Sequence, residues 1–328
     1  METMRAARFV EVGRMEFEQA PLPKLQDGDL LVRTSMASIC GSDLHVVYHG
    51  TFHTPFPQEP GYPGHEGVGE VVESRHPDFK AGEWVLCCPG PLTAMTFAEY
   101  QAIGGRYCIK LPKSDLPMSH LLMAQQLGTT LFALRQRPVD VVGKNVMVMG
   151  QGSAGIFFAY LLKRAGAAKV ITSDLSEARL AAGRKISGAD VALKADSDNV
   201  QETVLEHTGG QGVDYLVEAV GAHTSLLQAV DLVRQDANML MFGLPDTTKP
   251  VQYNFHDFFR KRLTMHCTYG TQEEAGLVSF RMALNLITGK QIDVSPLVSH
   301  MFPIEKIQEA MDTAHSRANN ALKVSVEF

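Results

Sequence analysis

Residues 145–174 read NVMVMGQGSAGIFFAYLLKRAGAAKVITSD, and this stretch decides the fold. A short apolar run, Val146 to Met149, is typical of a buried strand, and residues 156–165 repeat apolar side chains at helical spacing. A glycine-rich turn separates the two. Residues 169–173 predict a second strand, which ends at Asp174. This order of strand, G-x-G-x-x-G turn, helix and strand with a terminal acid predicts a dinucleotide-binding unit.

Each glycine of the turn has a physical task. Gly150 permits a tight turn, Gly152 lets the backbone approach a pyrophosphate, and Gly155 allows close packing of helix on strand. The helix then opens at Ser153 and Ala154, where unpaired N–H groups and the helix dipole favour an anion. The turn therefore predicts the binding site of a cofactor pyrophosphate.

The acid at the end of the second strand indicates which cofactor binds. Asp174 would accept hydrogen bonds from the adenosine ribose and would repel a 2′-phosphate, which favours NAD over NADP. A methyltransferase also places an acid there, and a turn without a ligand is the other alternative. Three glycines lower stability unless something uses them, which counts against an unliganded turn.

Composition narrows the class of protein. A chain of 328 residues is long enough for two domains, and 45% hydrophobic with 20% charged residues is ordinary for a globular protein. The net charge of −6 gives no footprint for nucleic acid or for an anionic membrane. No leader and no membrane-spanning apolar run is seen, and five cysteines do not resemble a disulfide framework. We expect a reduced, cytoplasmic protein.

The pattern of apolar and polar residues changes near residue 120. Before it, short alternating runs such as Leu30–Arg33 and Gly67–Val72 predict a small, partly closed antiparallel β-barrel. After it, strand-like runs at residues 189–193, 214–220, 239–243 and 264–269 join the first two strands in a doubly wound Rossmann sheet of about six parallel strands. A helix from Glu273 to Thr288 and a final strand over 321–328 return to the barrel. The predicted domains are 1–124 with 271–328, and 125–270.

Two segments of the barrel region carry chemistry. One contains Cys40, Ser42, Asp43 and His45 in the order CGSDLH, and the other contains His65 and Glu66 in GYPGHE. Cysteine, histidine and glutamate side chains supply sulfur, nitrogen and oxygen, a donor set suited to catalytic zinc. Taken singly, a cysteine is more often a small buried hydrophobe and a histidine a hydrogen-bonded structural residue.

Several segments together carry a resemblance that runs nearly end to end. They are CGSDLH at 40–45, GHEGVG at 64–69, GEWV at 82–85, FAEY at 97–100, DYLVEAVG at 214–221 and FPIEKIQEA at 302–310. In this order, with a late Rossmann unit, they resemble the zinc-dependent medium-chain alcohol dehydrogenase family, nearest its polyol and threonine dehydrogenases. The resemblance implies a GroES-like catalytic domain beside the cofactor domain.

The resemblance also implies roles for the metal-site residues. Cys40 and His65 match zinc ligands, and Glu66 matches an acid that ligates directly or approaches the metal transiently. Ser42 matches the hydroxyl that takes the alcohol proton, and His45 matches the imidazole at the end of that relay.

Further candidate residues lie in both predicted domains. Asp43 matches the carboxylate that orients His65. In the cofactor domain, Arg179 matches a basic position beside the adenosine. Val220 and Gly243, each at a strand end, are candidates to line the nicotinamide pocket, with ordinary strand-ending residues as the alternative.

Two departures from the family pattern matter. The interval between GEWV and FAEY holds only 11 residues with adjacent Cys87 and Cys88, too little for the four-cysteine lobe of a second, structural zinc. We therefore expect one catalytic zinc and no structural one. The usual further ligand is replaced by Gln125, so Gln125, Gln126 or water completes the site. His49 and His53 are less favoured substitutes.

The expected activity is hydride transfer between NAD(H) and a secondary alcohol, polyol or hydroxy-amino compound, or its ketone. A zinc-free quinone or enoyl reductase and a non-catalytic NAD-binding protein are the alternatives. The substrate and the direction of reaction stay open, and the family favours a homodimer or homotetramer.

Overall fold

Strands with alternating buried and exposed side chains dominate the N-terminal region. The computed structural model describes residues 3–50, 56–90, 93–245 and 250–328. The chain divides into two units, Met1–Thr129 with Gly270–Phe328, and Thr130–Tyr269. Among the described residues, the first unit contains a two-stranded and a seven-stranded sheet, the second unit contains a six-stranded sheet, and each unit has its own hydrophobic core.

The first part of the chain forms β1 (Thr3–Glu11), β2 (Arg14–Pro21), β3 (Asp29–Ser38), α1 (Gly41–His49), β4 (Glu66–Ser74), β5 (Trp84–Cys87), β6 (Tyr100–Gly104), β7 (Cys108–Lys110) and α2 (Met118–Gln136). β1 and β2 form an antiparallel hairpin. β3 pairs with both β4 and β6, and its register places Ser38 opposite Glu66. This pairing brings the ends of β3 and β4, and hence the two predicted metal-site segments, to the same place.

The second unit contains β8 (Asn145–Met149), α3 (Ser153–Arg164), β9 (Lys169–Asp174), α4 (Glu177–Ser187), β10 (Val191–Lys194), α5 (Val200–His207), β11 (Val213–Glu218), α6 (His223–Leu232), β12 (Val233–Met241), α7 (Phe255–Arg260) and β13 (Thr264–Cys267). Its six strands are parallel, in the order β10-β9-β8-β11-β12-β13. The predicted doubly wound sheet is confirmed. The order reverses between β8 and β11, which is where ligands bind to such sheets.

The chain returns to the first unit through α8 (Val278–Thr288), β14 (Val298–Pro303), α9 (Ile307–Ser316) and β15 (Lys323–Glu327). The described strands of residues 3–110 pair antiparallel, as predicted, and the seven-stranded sheet is mixed only because β14 runs parallel to β15. α8 also starts five residues later than predicted. Gly276 and Leu277 both have positive φ, which ends one turn, and the Glu274 carboxylate then accepts the backbone N–H of Ser279 at the new helix start.

Candidate active site

Cys40 lies at the N-terminus of α1. It is the N-cap residue, in extended conformation, and its backbone N–H donates to Asp43 Oδ2 at 2.8 Å. The helix dipole favours negative charge at this end, which suits a thiolate ligand. Local sequence thus places Cys40 and anchors the carboxylate beside it.

His65 is held by the other oxygen of that carboxylate. Its Nδ1 lies 2.8 Å from Asp43 Oδ1, which leaves Nε2, 3.3 Å from Ser42 Oγ, as the nitrogen for a metal. Burial by itself lowers the pKa of His65, but the Asp43 carboxylate and Cys40 outweigh it and hold that pKa well above its ordinary value. Without a metal, the site therefore favours a proton on this imidazole.

Glu66 begins β4 and is almost completely buried. Its Oε2 accepts a hydrogen bond from Ser38 and lies 2.5 Å from Nζ of Lys323. Burial by itself raises the pKa of Glu66, but Lys323 and His65 outweigh it and hold the pKa below its ordinary value. Oε1, in contrast, is buried with no hydrogen-bond partner among the described residues.

Sequence reasoning missed Lys323, which lies on β15. Its side chain is 2% exposed, and a buried lysine needs a charged partner. A lysine between Leu322 and Val324 at the start of the final strand was the available signal for a partner elsewhere. Ser38, the last residue of β3, was missed as well because no motif marks it.

These residues fit a divalent metal ion. Ligand atoms of Cys40, His65 and Glu66 all lie within 4.8 Å of one another, the one such group in the part of the chain that the structure describes. The Cys40 thiolate and the carboxylates of Asp43 and Glu66 carry three negative charges, and Lys323 carries one positive charge. The net charge of −2 matches Zn²⁺. The unpartnered Glu66 Oε1 is an oxygen available to such an ion.

Gln125, on α2, lies next to this group. Its Nε2 donates to the backbone carbonyl of His65 at 3.3 Å. Gln126 is buried too. The choice among Gln125, Gln126 and water as the further ligand stays a prediction.

The remaining predicted residues lie along α1 and beyond it. His45 is three residues after Ser42 on α1, and its ring centroid lies 5.2 Å from that of His49. The Ser42–His45 relay stays a prediction. His53 lies outside the described residues.

The second unit presents the glycine-rich turn. Gly150 has φ of +87°, and a Cβ on Gly155 would collide with the carbonyl oxygen of Gly150. Gly152 is the N-cap of α3, and α3 then opens with Ser153 and Ala154. The turn therefore has the geometry expected of a cofactor cradle.

Asp174 ends β9 beside this turn. Its Oδ2 accepts the backbone N–H of Gln151 at 2.7 Å, and its Oδ1 accepts that of Ser176 at 2.8 Å. Each carboxylate oxygen has a further lone pair for a ribose hydroxyl. Arg179 on α4 also borders the turn, with Nη1 3.9 Å from a Cβ built on Gly152. The structure thus brings Asp174 and Arg179 to the same turn.

Val220 and Gly243 follow β11 and β12 at the carboxyl edge of the sheet. A Cβ on Gly150 would lie 2.8 Å from Val220 Cγ2, so Val220 borders the glycine-rich turn at the reversal of strand order. Gly243 packs against the loop that carries Val220.

No helix in the described ranges combines the length and apolar character needed to cross a membrane.

Comparison with known proteins agrees with this geometry. Residues 26–113 match the alcohol dehydrogenase GroES-like domain, and residues 154–285 match the zinc-binding dehydrogenase family. The chain is 28% identical to L-threonine 3-dehydrogenase of Symbiobacterium thermophilum, covering 95% of this chain and 94% of that one. It is 26% identical to human sorbitol dehydrogenase, covering 92% and 90%.

Solved structures share the fold. The structure of 2R,3R-butanediol dehydrogenase from Bacillus subtilis has a TM-score of 0.85 at 23% identity, covering 99% of each chain. An alcohol dehydrogenase from Thermus sp. ATN1 has a TM-score of 0.82 at 25% identity, also over 99% of each chain. The chain belongs to the zinc-dependent medium-chain alcohol dehydrogenase family.

Proposed function

We propose that this protein is an NAD(H)-dependent zinc alcohol dehydrogenase acting on a secondary alcohol, a polyol, a hydroxy-amino compound or the matching ketone. The observation that carries the proposal is the convergence of the Cys40, His65 and Glu66 ligand atoms within 4.8 Å. The relatives named for threonine, sorbitol and butanediol support the substrate class.

The residues of the first unit have different roles in the proposed reaction. Zinc, when bound by Cys40, His65 and Glu66, supplies a Lewis acid that lowers the pKa of an alcohol. Asp43 fixes the tautomer and orientation of His65. Ser42 takes the hydroxyl proton, and His45, on the same helix, passes it toward solvent. The metal is the catalytic one only, with no structural zinc.

Replacement of Cys40 or of His65, two of the proposed zinc ligands, tests the proposal. A panel of secondary alcohols and polyols with NAD should give NADH absorbance for wild type, whereas Cys40→Ser and His65→Ala should lose both zinc and turnover. Cys267→Ser is the matched control, since Cys267 is an exposed free cysteine of the second unit. Turnover retained in Cys40→Ser would favour a zinc-free reductase. NADH binding without turnover on any alcohol or ketone would favour a non-catalytic NAD-binding protein.

We propose NAD as the preferred cofactor because Asp174 faces the turn where the adenosine ribose would lie. Wild type should have a higher kcat/KM with NAD than with NADP. Asp174→Gly should reduce the ratio of these two kcat/KM values. Asp174→Gly should also weaken NAD binding, because the carboxylate ties Gln151 to Ser176. A wild type that prefers NADP would contradict this assignment. NAD supplies the hydride acceptor for alcohol oxidation.

A cytoplasmic homodimer is the proposed assembly, with a homotetramer as its larger form. β13 pairs with β12 along one edge and, among the described residues, with no strand along the other. Phe255 and Tyr269 nearby in sequence are each 71% exposed. An open edge with exposed aromatics favours pairing with a second copy. Light scattering should give twice or four times the mass of 35.9 kDa, and a monomer at micromolar concentration would contradict the proposal.

A further inference from the structure

Glu218, the last residue of β11, is completely buried, and among the described residues its carboxylate accepts hydrogen bonds from backbone amides and a hydroxyl, not from a cation. Its Oε1 accepts the backbone N–H of Val220 at 2.9 Å and that of Gly221 at 3.0 Å. The hydroxyl of Ser225, at the start of α6, lies 2.8 Å from the same oxygen. One carboxylate oxygen therefore closes the loop between β11 and α6.

The backbone of Glu218 also holds the next loop. Its carbonyl oxygen accepts the N–H groups of Phe242 and Gly243, each at 2.9 Å. A Cβ on Gly243 would lie 2.7 Å from Glu218 Oε2 and would collide with the backbone nitrogen of Gly221. The loops after β11 and β12 are thus fastened to one residue and to each other.

These two loops reach the reversal of strand order. Val220 is 41% exposed although its loop is tightly bonded, and it borders Gly150 of the glycine-rich turn. An apolar side chain that is held rigidly and left uncovered at the ligand-binding edge is suited to contact a flat ring. Asp174, in contrast, stands at the end of β9, on the other side of β8.

We infer that Glu218 is a positioning residue for the nicotinamide half of the cofactor, acting through Val220 and the loop at Gly243 and not through direct contact. This inference rests on the proposed function. It predicts that loss of the carboxylate weakens binding of NADH, whereas ADP-ribose, which lacks the nicotinamide ring, still binds through the turn and Asp174.

The test uses the zinc-loaded full chain and two titrations, NADH by fluorescence and ADP-ribose by calorimetry. Glu218→Ala should raise the Kd of NADH about tenfold or more, since several buried hydrogen bonds to the loop are lost. The Kd of ADP-ribose should stay within about twofold of wild type. Glu218→Gln keeps an oxygen that can accept the same N–H groups, so it should restore most of the NADH affinity. Glu206→Ala, an exposed glutamate of α5, is the control.

A second variant keeps the test open if Glu218→Ala does not fold. Ser225→Ala removes one hydroxyl next to Glu218 Oε1, and it should weaken NADH about threefold with ADP-ribose unchanged. Equal losses for both ligands would show a general structural role, and unchanged NADH binding would remove any role; either result overturns the inference. A wild type that binds neither ligand would instead overturn the proposed function.

Discussion

At the scale of single residues, Asp43 joins the two proposed metal ligands Cys40 and His65, which are 25 residues apart in the sequence. One of its oxygens holds the backbone of Cys40 and the other holds the ring of His65. A carboxylate in this place fixes which nitrogen of the histidine is free for the metal. In the metal-free protein the same contact raises the pKa of His65, so a metal has to displace a proton from this imidazole.

Asp43→Asn should weaken zinc retention by about tenfold to a hundredfold, because the amide cannot carry the charge that orients and polarises His65. The rate of zinc loss to a chelator, followed with a colorimetric indicator, measures the effect. Asp115→Asn is a matched control, since Asp115 is exposed and pairs with Lys290 on the surface. Equal rates for wild type and Asp43→Asn would show that His65 is positioned without it.

The amide at residue 125 gives a second prediction at this scale. Gln125→Glu adds a negative charge next to His65, so it should slow zinc loss to a chelator by about tenfold and change kcat. Gln126→Glu is the control one residue away and should have little effect on zinc. If only Gln126→Glu slows zinc loss, the alignment that assigns Gln125 to the ligand position is wrong by one residue.

At the scale of elements, the ion pair of β4 and β15 connects the metal site to the C-terminal strand. Glu66 and Lys323 are 1% and 2% exposed and 2.5 Å apart. Breaking such a pair leaves an uncompensated buried charge, whereas replacing both partners is far less costly. In the metal-free protein, Lys323→Met should therefore lower stability by roughly 3–5 kcal/mol, and Glu66→Gln with Lys323→Met should recover most of it.

The matched control for that cycle is the surface pair of Lys110 and Glu83, whose nitrogen and oxygen are 2.7 Å apart. Lys110→Met should lower stability much less than Lys323→Met, because both groups of the surface pair are solvated. Thermal unfolding midpoints of the metal-free proteins compare these three variants with wild type. A loss for Lys323→Met no larger than that for Lys110→Met would show that the buried pair adds nothing.

The same pair predicts a pH window. The pKa of Glu66 is lowered and that of Lys323 is raised, because in each case the partner outweighs burial. The stabilisation is therefore full between the unfolded-state values of about 4.3 and about 10.4. It is lost as the pH falls through the folded-state pKa of Glu66 or rises through that of Lys323. The Tm of wild type should fall relative to that of the double variant at both extremes, because only wild type then carries an unpaired buried charge, and a Tm difference independent of pH would contradict the ion pair.

At the scale of the whole molecule, our prediction of the number of zinc ions rests on where the cysteines lie. Cys87 and Cys108 face each other across β5 and β7 inside a hydrophobic cluster, and Cys88 is buried beside them. Burial raises the pKa of Cys88 and Cys108 well above the ordinary thiol value, which opposes the thiolate that a metal needs. Only Cys40 joins histidine and glutamate within ligand distance in the described ranges.

Elemental analysis should therefore give about one zinc per chain. Cys88→Ser should leave that value unchanged, whereas Cys40→Ser should reduce it to background. A value near two would reveal a second ligand set, and zinc loss in Cys88→Ser would locate it.

The sequence by itself determined the features that depend on neighbouring residues. The strand, turn, helix and acid of 145–174 are encoded within 30 residues, where glycine placement and apolar periodicity act directly on the backbone. Cys40, His65 and Glu66 were also selected as the candidate ligand set from the sequence, because donor chemistry and the family resemblance of their motifs do not require knowledge of the fold.

Only the tertiary structure decided what surrounds those residues. Lys323 reaches Glu66 because β15 pairs with β3, and β3 with β4, so that Ser38 lies opposite both Ser325 and Glu66. The backbone carbonyl of Glu218 meets the N–H groups of Phe242 and Gly243 only because β11 and β12 pair. The physical reason is that strand register decides which buried charges and backbone amides meet. It joins segments that are not neighbours in the sequence, so it leaves no local pattern.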